Sequence, residues 1–303
     1  MTGYHSADYA ASLSEFGAPL PLHRSGGWLL KRAIAASEQC DAMSCYPLFT
    51  CDDWAKLPAD LDALGNELVS VSMVLDPFSP LAVEEMQRCF DFARPFKEHF
   101  VIDAQEEFES HVSKHHRYYT RKALRVFRVE IASNPVLHLE EWIALYETLT
   151  RRHSLTGVRA FSRRAFAAQL AMPELVMFRA CGTDGPVGAH LWIIQNGVAY
   201  SHLAAFNDVG YASGAAYALY WEAIRTVREQ MSETVRWIDL GSGAGTTAGS
   251  DDGLTKFKRG WSSRSRTKVF CGRIFDQSAF AALCRERGIT DIAYFPAYRF
   301  GEF

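Results

Sequence analysis

The seven cysteines include no C-x-x-C pair, the chain does not open on a basic leader followed by an apolar stretch, and no apolar run approaches the ~20 residues that span a bilayer. The first absence leaves Cys40, Cys45 and Cys51 without a partner cluster, so zinc is not expected. The second, with an odd cysteine count, predicts reduced thiols and a cytoplasmic chain. The third predicts no membrane span. Excess charge of one sign is also missing. Net charge is -3 over 303 residues, which argues against a dedicated nucleic-acid protein but leaves room for a local basic patch. Low-complexity segments are absent too, and 48% of the residues are hydrophobic, enough for one large or two small cores.

The first 25 residues read as a polar lead with Pro19 and Pro21. Strands are expected at 28–34, 68–75 and 99–102, and helices at 58–64 and 80–93, the latter ended by Pro95. A long helix is expected over 106–128. It would align Lys114, Arg117, Arg121, Arg125 and Arg128 on one face, suited to a solvated stripe or to phosphates of a nucleotide-linked substrate or an RNA end. Glu107, His111 and His115 have helical metal-ligand spacing, but the adjoining positive charge opposes a cation. A short strand is expected at 129–131, and amphipathic helices at 139–152 and 162–170.

The clearest pattern lies between residues 175 and 261. Strands at 175–181, 187–194 and 198–206 are joined by Asp184-Gly185 and Asn196-Gly197, both hairpin dipeptides. Gly210 and Gly214 mark a flexible entry to a helix from 215 to about 231, with Tyr220, Trp221, Ile224 and Val227 on its apolar face. A strand at 235–240 ends in Asp239-Leu240-Gly241-Ser242-Gly243-Ala244-Gly245. That run resembles the first motif of class I methyltransferases. The motif needs a helix to follow, yet 246–253 is loop-forming, and too little chain remains for a doubly wound domain. A surface loop or a lid beside a site are the other readings. A strand at 268–271 and a helix capped by Asp276 and ended by Gly288 close the chain.

Three antiparallel strands, a Gly-flanked helix and a further strand resemble the core of the GNAT acyltransferase superfamily. The dispersed motifs are similar to its FemAB-like, double-GNAT branch. They are the Arg-rich run His116-Arg117-Tyr118-Tyr119-Thr120-Arg121-Lys122-Ala123, the hairpin Val187-Gly188-Ala189-His190-Leu191, the helix at 215–224, the strand-end Asp239-Leu240-Gly241, and Phe257-Lys258-Arg259-Gly260-Trp261, which closes the second half.

The resemblance implies an α+β fold of two GNAT-like domains, each a mostly antiparallel mixed sheet flanked by helices. The divisions expected are 1–135, 136–275 and a tail at 276–303 that packs back on the first domain. It implies acyl or aminoacyl transfer to an amine of a small, sugar- or peptide-linked, or nucleotide-linked acceptor, in cell-envelope or polysaccharide metabolism. The co-substrate is acyl-CoA or aminoacyl-tRNA, with no bound cofactor or metal, and tRNA is the expected macromolecular partner. Lys258, Asp239, His202 and Tyr200 are the catalytic candidates. Phe206, Asn207, Gly210, Ser213 and Gly214 are the donor-binding candidates. Arg117, Arg121, Phe257 and Trp261 are the substrate-binding candidates. A GNAT-fold binding module without catalysis and a methyltransferase are the alternatives.

Overall fold

The computed structural model describes residues 2–244, 252–262, 264–289 and 293–302. Gly245 and residues 246–251 of the loop expected at 246–253 lie outside the described residues, while Asp252 caps and Gly253 begins a helix. The chain divides into two compact units. One comprises Met1–Phe96, Thr156–Phe161 and Lys268–Phe303, and the other Lys97–Leu155 and Ser162–Thr267. These bounds differ from those drawn at 135 and 275, because residues 97–135 contribute strands and a helix to the second unit. Both units are α+β, with mixed sheets flanked by helices.

The first unit contains α1 (Ala7–Ser12), β1 (Ala18–Leu22), β2 (Gly27–Ala33), β3 (Cys40–Ser44), α2 (Leu57–Ala63), β4 (Ser70–Val74) and α3 (Val83–Cys89). The N-terminal lead is therefore structured. Ser6 caps α1 through Tyr9 N–H, and both prolines lie in β1, which pairs only with β2 and so loses no ladder bond by lacking their N–H groups. Pro95 likewise does not end a helix. It sits within β5 (Phe92–Asp103), and α3 stops six residues earlier, at Cys89.

The second unit continues with α4 (Lys114–Ala123), β6 (Arg128–Ile131), α5 (Leu139–His153), α6 (Arg163–Leu170), β7 (Leu175–Gly182), β8 (Gly185–Gln195) and β9 (Val198–Phe206). Then come α7 (Asp208–Ser213), α8 (Ala215–Gln230), β10 (Trp237–Asp239) and α9 (Gly253–Arg259). Strand β11 (Arg264–Ile274), which enters the first unit at Lys268, and helix α10 (Gln277–Glu286) of the first unit follow. The sheet order in the second unit is β5-β10-β9-β8-β7-β6 and in the first β1-β2-β3-β4-β11. Asn196 and Gly197 both adopt positive φ, which gives the β8–β9 turn the twist of its strands.

Three expectations over the second unit are corrected. Helix α4 is ten residues, because Ser113 caps it and Phe108 and Val112 turn into the core before it starts. Arg125 and Arg128 therefore leave the helical face, and Arg128 pairs with Glu130 instead. The entry at 210–214 is α7, capped by Asn207. Phe257, Lys258 and Arg259 of the closing box lie on α9. Strand β10 spans three residues.

Ala199, Trp192, Phe178 and Ile238 pack with Ala218, Leu219, Ala223, Ile224 and Val227 of α8. By strand alternation, Tyr200 and Asp239 project from the opposite sheet face. In the first unit, Val71, Met73 and Leu29 pack against α2 through Leu57 and Leu61. One buried anion anchors the C-terminal segment, beside the Ser70–Tyr298 hydroxyl contact and Arg299 on Ala33 O. Asp41 is fully buried and accepts from Arg32 (Nε, 3.1 Å), Arg299 (Nε 2.6 Å, Nη2 2.9 Å) and the Tyr298 hydroxyl (3.0 Å). Its removal strands two buried guanidinium groups, so Asp41→Ala is expected to lower unfolding free energy by about 3–5 kcal/mol. Urea denaturation checks this, and a loss below about 1 kcal/mol, the level of a surface pair, would contradict it.

Candidate active site

Strands β9 and β10 run parallel for three pairs, ending at Asp239↔Tyr200. Beyond that pair β9 continues to Phe206, while the other chain turns away through Leu240 and Gly241. The strands part here, and several polar groups gather at the parting.

Asp239 is buried. Its Oδ1 accepts from Gly241 N–H at 2.7 Å, and His99 Nδ1 donates to Oδ1 (2.9 Å) and Oδ2 (2.7 Å). A carboxylate so engaged fixes the ring's tautomer and the turn at Gly241 together. Lys258 is buried at its place on α9, and its Nζ donates to Ser242 O at 2.8 Å. A Cβ on Gly241 would lie 2.9 Å from that ammonium, and one on Gly243 would lie 1.8 Å from Thr255 Oγ1. The glycine run is thus occupied by α9 itself. Its open backbone serves close packing, which replaces the nucleotide-cradle reading.

On the α8 side of the sheet, His190 Nε2 lies 2.8 Å from Ser201 Oγ, and Ser201 Oγ lies 3.5 Å from the Tyr220 hydroxyl. Burial, then the Lys258 charge, then His202 push the His190 pKa well down. His202 is the extra residue of a bulge, since β8 advances from Leu191 to Trp192 while β9 steps from Leu203 to Ser201. Its Nε2 meets Gln169 of α6 at 3.3 Å. It keeps some surface, yet the protein packed around it lowers its pKa to about 3.

The four catalytic candidates therefore fall into separate groups. Asp239 and Tyr200 are register partners on one face, and Lys258 is linked to Asp239 through the Gly241-Ser242 backbone. His202 stands apart, on Gln169. Tyr200 is buried, so its ring forms wall and not an exposed acid. His99, His190, Ser201, Tyr220 and Gln169 were missed, because their partnerships span 11 to 140 residues and leave no local pattern.

Among the donor-binding candidates, Asn207 and Gly210 spend groups on α7, with Gly210 N–H donating to Asn207 Oδ1 at 2.9 Å. A Cβ at Gly210 would strike Val187 O at 2.2 Å, so close packing explains that glycine. Phe206 is buried beside it, Ser213 is exposed, and Gly214 takes φ +71° to join α7 to α8.

Among the substrate candidates, Trp261 is corrected to a core residue. It is fully buried between Phe108, Tyr220 and His116. Phe257 is partly buried and rings His116 and Tyr217. Arg117 donates to Glu109 O at 3.2 Å, and Arg121 is exposed. His116 joins the two motifs. Its Nε2–H donates to Phe257 O at 2.8 Å, Ser113 O–H donates to its Nδ1 at 2.8 Å, and a Cβ on Gly260 would enter its ring at 2.0 Å. Burial lowers its pKa, so the ring is neutral. On the outer face of α4, Tyr119 stacks on Tyr217 of α8 (5.3 Å between centroids) and His115 lies tilted against Tyr119 (4.5 Å), beside exposed Tyr118, Lys114 and Arg121. His115 hydrogen-bonds Tyr217, and among the described residues no cluster of His, Cys, Asp and Glu could hold a metal ion.

Residues 110–259 match the family model of an acetyltransferase (GNAT) domain. This segment is a GNAT domain. The fold of the chain is also that of FemX, with a TM-score of 0.68 at 11% identity, covering 91% of this chain and 93% of that one. The C-terminal DUF2156 domain of a protein named as a lysylphosphatidylglycerol synthetase from Agrobacterium fabrum aligns at 0.64 and 14% identity (93% and 91% covered). L-PGS from Bacillus licheniformis aligns at 0.59 and 12% identity (96% and 99%). These likenesses place the GNAT domain within a FemAB-like fold. A search of curated proteins finds no match. Among the described residues no helix is long and apolar enough to cross a membrane.

The buried histidines of the GNAT domain give its stability a pH dependence. The ordinary His pKa is near 6.5, and folded His202 titrates near 3. Between those values the unfolded chain binds more protons, so stability is full above about 6.5 and is lost as pH falls. The same sign holds for His190 and His116, both lowered chiefly by burial. Replacing His202 with Gln is expected to shrink the drop in urea midpoint between pH 7 and pH 4.5. An equal drop in variant and wild type would contradict this.

Proposed function

We propose that the protein is an N-acyltransferase working where β9 and β10 part. The carrying observation is Lys258, a buried ammonium held on Ser242 O at the mouth of that parting. A cation in a low-dielectric setting suits an oxyanion or a departing anion. The substrate amine attacks an activated acyl carbonyl, and Lys258 stabilises the negative charge that develops. The base is His99, oriented by Asp239; Asp239 itself is too enclosed and too fully hydrogen-bonded to meet the amine. Phe257 and the outer face of α4 border the route for substrate.

The donor is acyl-CoA, with the acyl group an acetyl, and the acceptor is a small amine, sugar- or peptide-linked. A second reading replaces the thioester by the ester of an aminoacyl-tRNA. It is favoured by α4, where Lys114, Arg117 and Arg121 stand beside the exposed rings of Tyr118 and Tyr119, the combination that binds a single-stranded phosphodiester chain. The occupation of Asn207 and Gly210 by α7 fits that reading as well, since it leaves fewer amides for a pyrophosphate.

Acetyl-CoA and alanyl-tRNA, each tested for a thermal shift and for transfer to a panel of primary amines, separate the donors. A shift and transfer with either supports acyl transfer, and neither with both would overturn it. With the active donor, Lys258→Ala is expected to lower turnover by at least about 10²-fold, the scale of losing one oxyanion donor, while the protein stays folded. Full activity in that variant would remove Lys258 from the mechanism.

A further inference from the structure

Ser201 is the first residue of β9 beyond its last pair with β10, and it is partly exposed. Two groups approach its oxygen, His190 at 2.8 Å and Tyr220 at 3.5 Å. His190 is fully buried, and its Nδ1 has no hydrogen-bond partner among the described residues. An enclosed N–H with no acceptor is rarer and costlier than a bare ring nitrogen. The imidazole proton therefore sits on Nε2, which donates to Ser201. The Tyr220 hydroxyl lies 3.5 Å from the same oxygen, and either oxygen can be the donor. A serine oxygen has two lone pairs. The imidazole N–H takes one of them, so the hydroxyl proton is not spent on His190. Accepting a hydrogen bond also makes that O–H a stronger donor.

We infer that Ser201 is a catalytic hydrogen-bond donor to the carbonyl oxygen of the acyl donor, with His190 and Tyr220 as its positioning residues. The inference rests on the acyl-transfer reading for the identity of its ligand. The amine nitrogen forms its bond to the carbonyl carbon as the C=O π pair moves to oxygen, and Ser201 O–H binds that oxyanion without surrendering its proton. When the oxyanion collapses, the C–S or C–O bond breaks and its electron pair leaves on sulfur or oxygen. The amine's proton passes through His99 to that leaving group. Lys258, whose charge reaches His190, shares the same developing anion with Ser201. A neutral donor beside a cation gives the oxyanion two partners of different kind, fixed before the reaction starts.

Two measurements test this. The first needs no substrate. Nitrogen-15 NMR of the histidine-labelled full chain, with the His190 signals assigned by their loss in His190→Gln, reads the tautomer directly. A proton on Nε2 is expected. A proton on Nδ1 would make Ser201 spend its own proton on His190 and would overturn the inference. The second uses the donor found active, acetyl-CoA or alanyl-tRNA. Ser201→Ala is expected to lower kcat by about 10²–10³ with KM little changed, as for loss of one oxyanion donor. Ser201→Thr is expected to recover most of that loss. His190→Phe, which removes the positioning bond alone, is expected to lower kcat without raising KM. An unchanged kcat in Ser201→Ala would overturn the inference. A wild-type protein that transfers no acyl group from either donor would instead defeat the acyl-transfer reading, and the tautomer would still decide the arrangement at Ser201.

Discussion

Lys258 lies against the backbone of Gly241 and Ser242, and much of the GNAT domain is arranged to allow it. Its ammonium needs a carbonyl close by, and a side chain at 241 would crowd it. Gly241 also takes φ +77°, which favours glycine, and its amide N–H is fixed on Asp239. Asp239 in turn holds His99, from a strand 140 residues distant. A short strand, a bare turn and a short helix thus bring a cation and a carboxylate–imidazole pair to one edge of the parting. A buried ammonium without such a partner would be expensive to keep charged.

The helix that carries Lys258 is positioned by His116. Its ring occupies the space a side chain at Gly260 would need, donates to Phe257 O and packs edge-on against Trp261. Two motifs separated by more than a hundred residues are consequently one packing unit. Neutral His116 is necessary to it, since both ring nitrogens are engaged, one as donor and one as acceptor. The aromatic shell of Phe108, Tyr217, Tyr220, Phe257 and Trp261 then excludes water from the α8 side of the sheet, where His190 and Ser201 sit. Low polarity there raises the worth of each hydrogen bond that remains.

Local chemistry carried far in the sequence. Asn196-Gly197 announced a hairpin because only a few residue types tolerate two positive φ angles, and the apolar spacing of α5 and α8 announced those helices. The meander, the strand-end Asp239 and the Lys258 box together indicated the GNAT fold. What escaped was set by distance in the chain. Nothing local tells that Pro95 lies inside a strand, that 208–213 is helical, or that Trp261 is core instead of platform. The glycine run was ambiguous for the same reason. A glycine marks where something approaches closely, and the sequence does not say whether that is a cofactor or, as here, Lys258 and Thr255. His99 and Ser201 carry no motif, the hairpin motif that holds His190 says nothing of its partner, and only the sheet register assembles the three.

The central claim is that acyl transfer occurs where β9 and β10 part. A crystal structure with a donor analogue that binds but cannot transfer tests it most directly: acetonyl-CoA for a thioester donor, or an RNA 3′ end carrying amide-linked alanine for an ester donor. The account predicts the carbonyl of the bound analogue between β9 and β10, its oxygen within hydrogen-bonding distance of Ser201 Oγ and on the side of Lys258. A carbonyl seated away from that parting, with Lys258 and Ser201 both untouched, would contradict it.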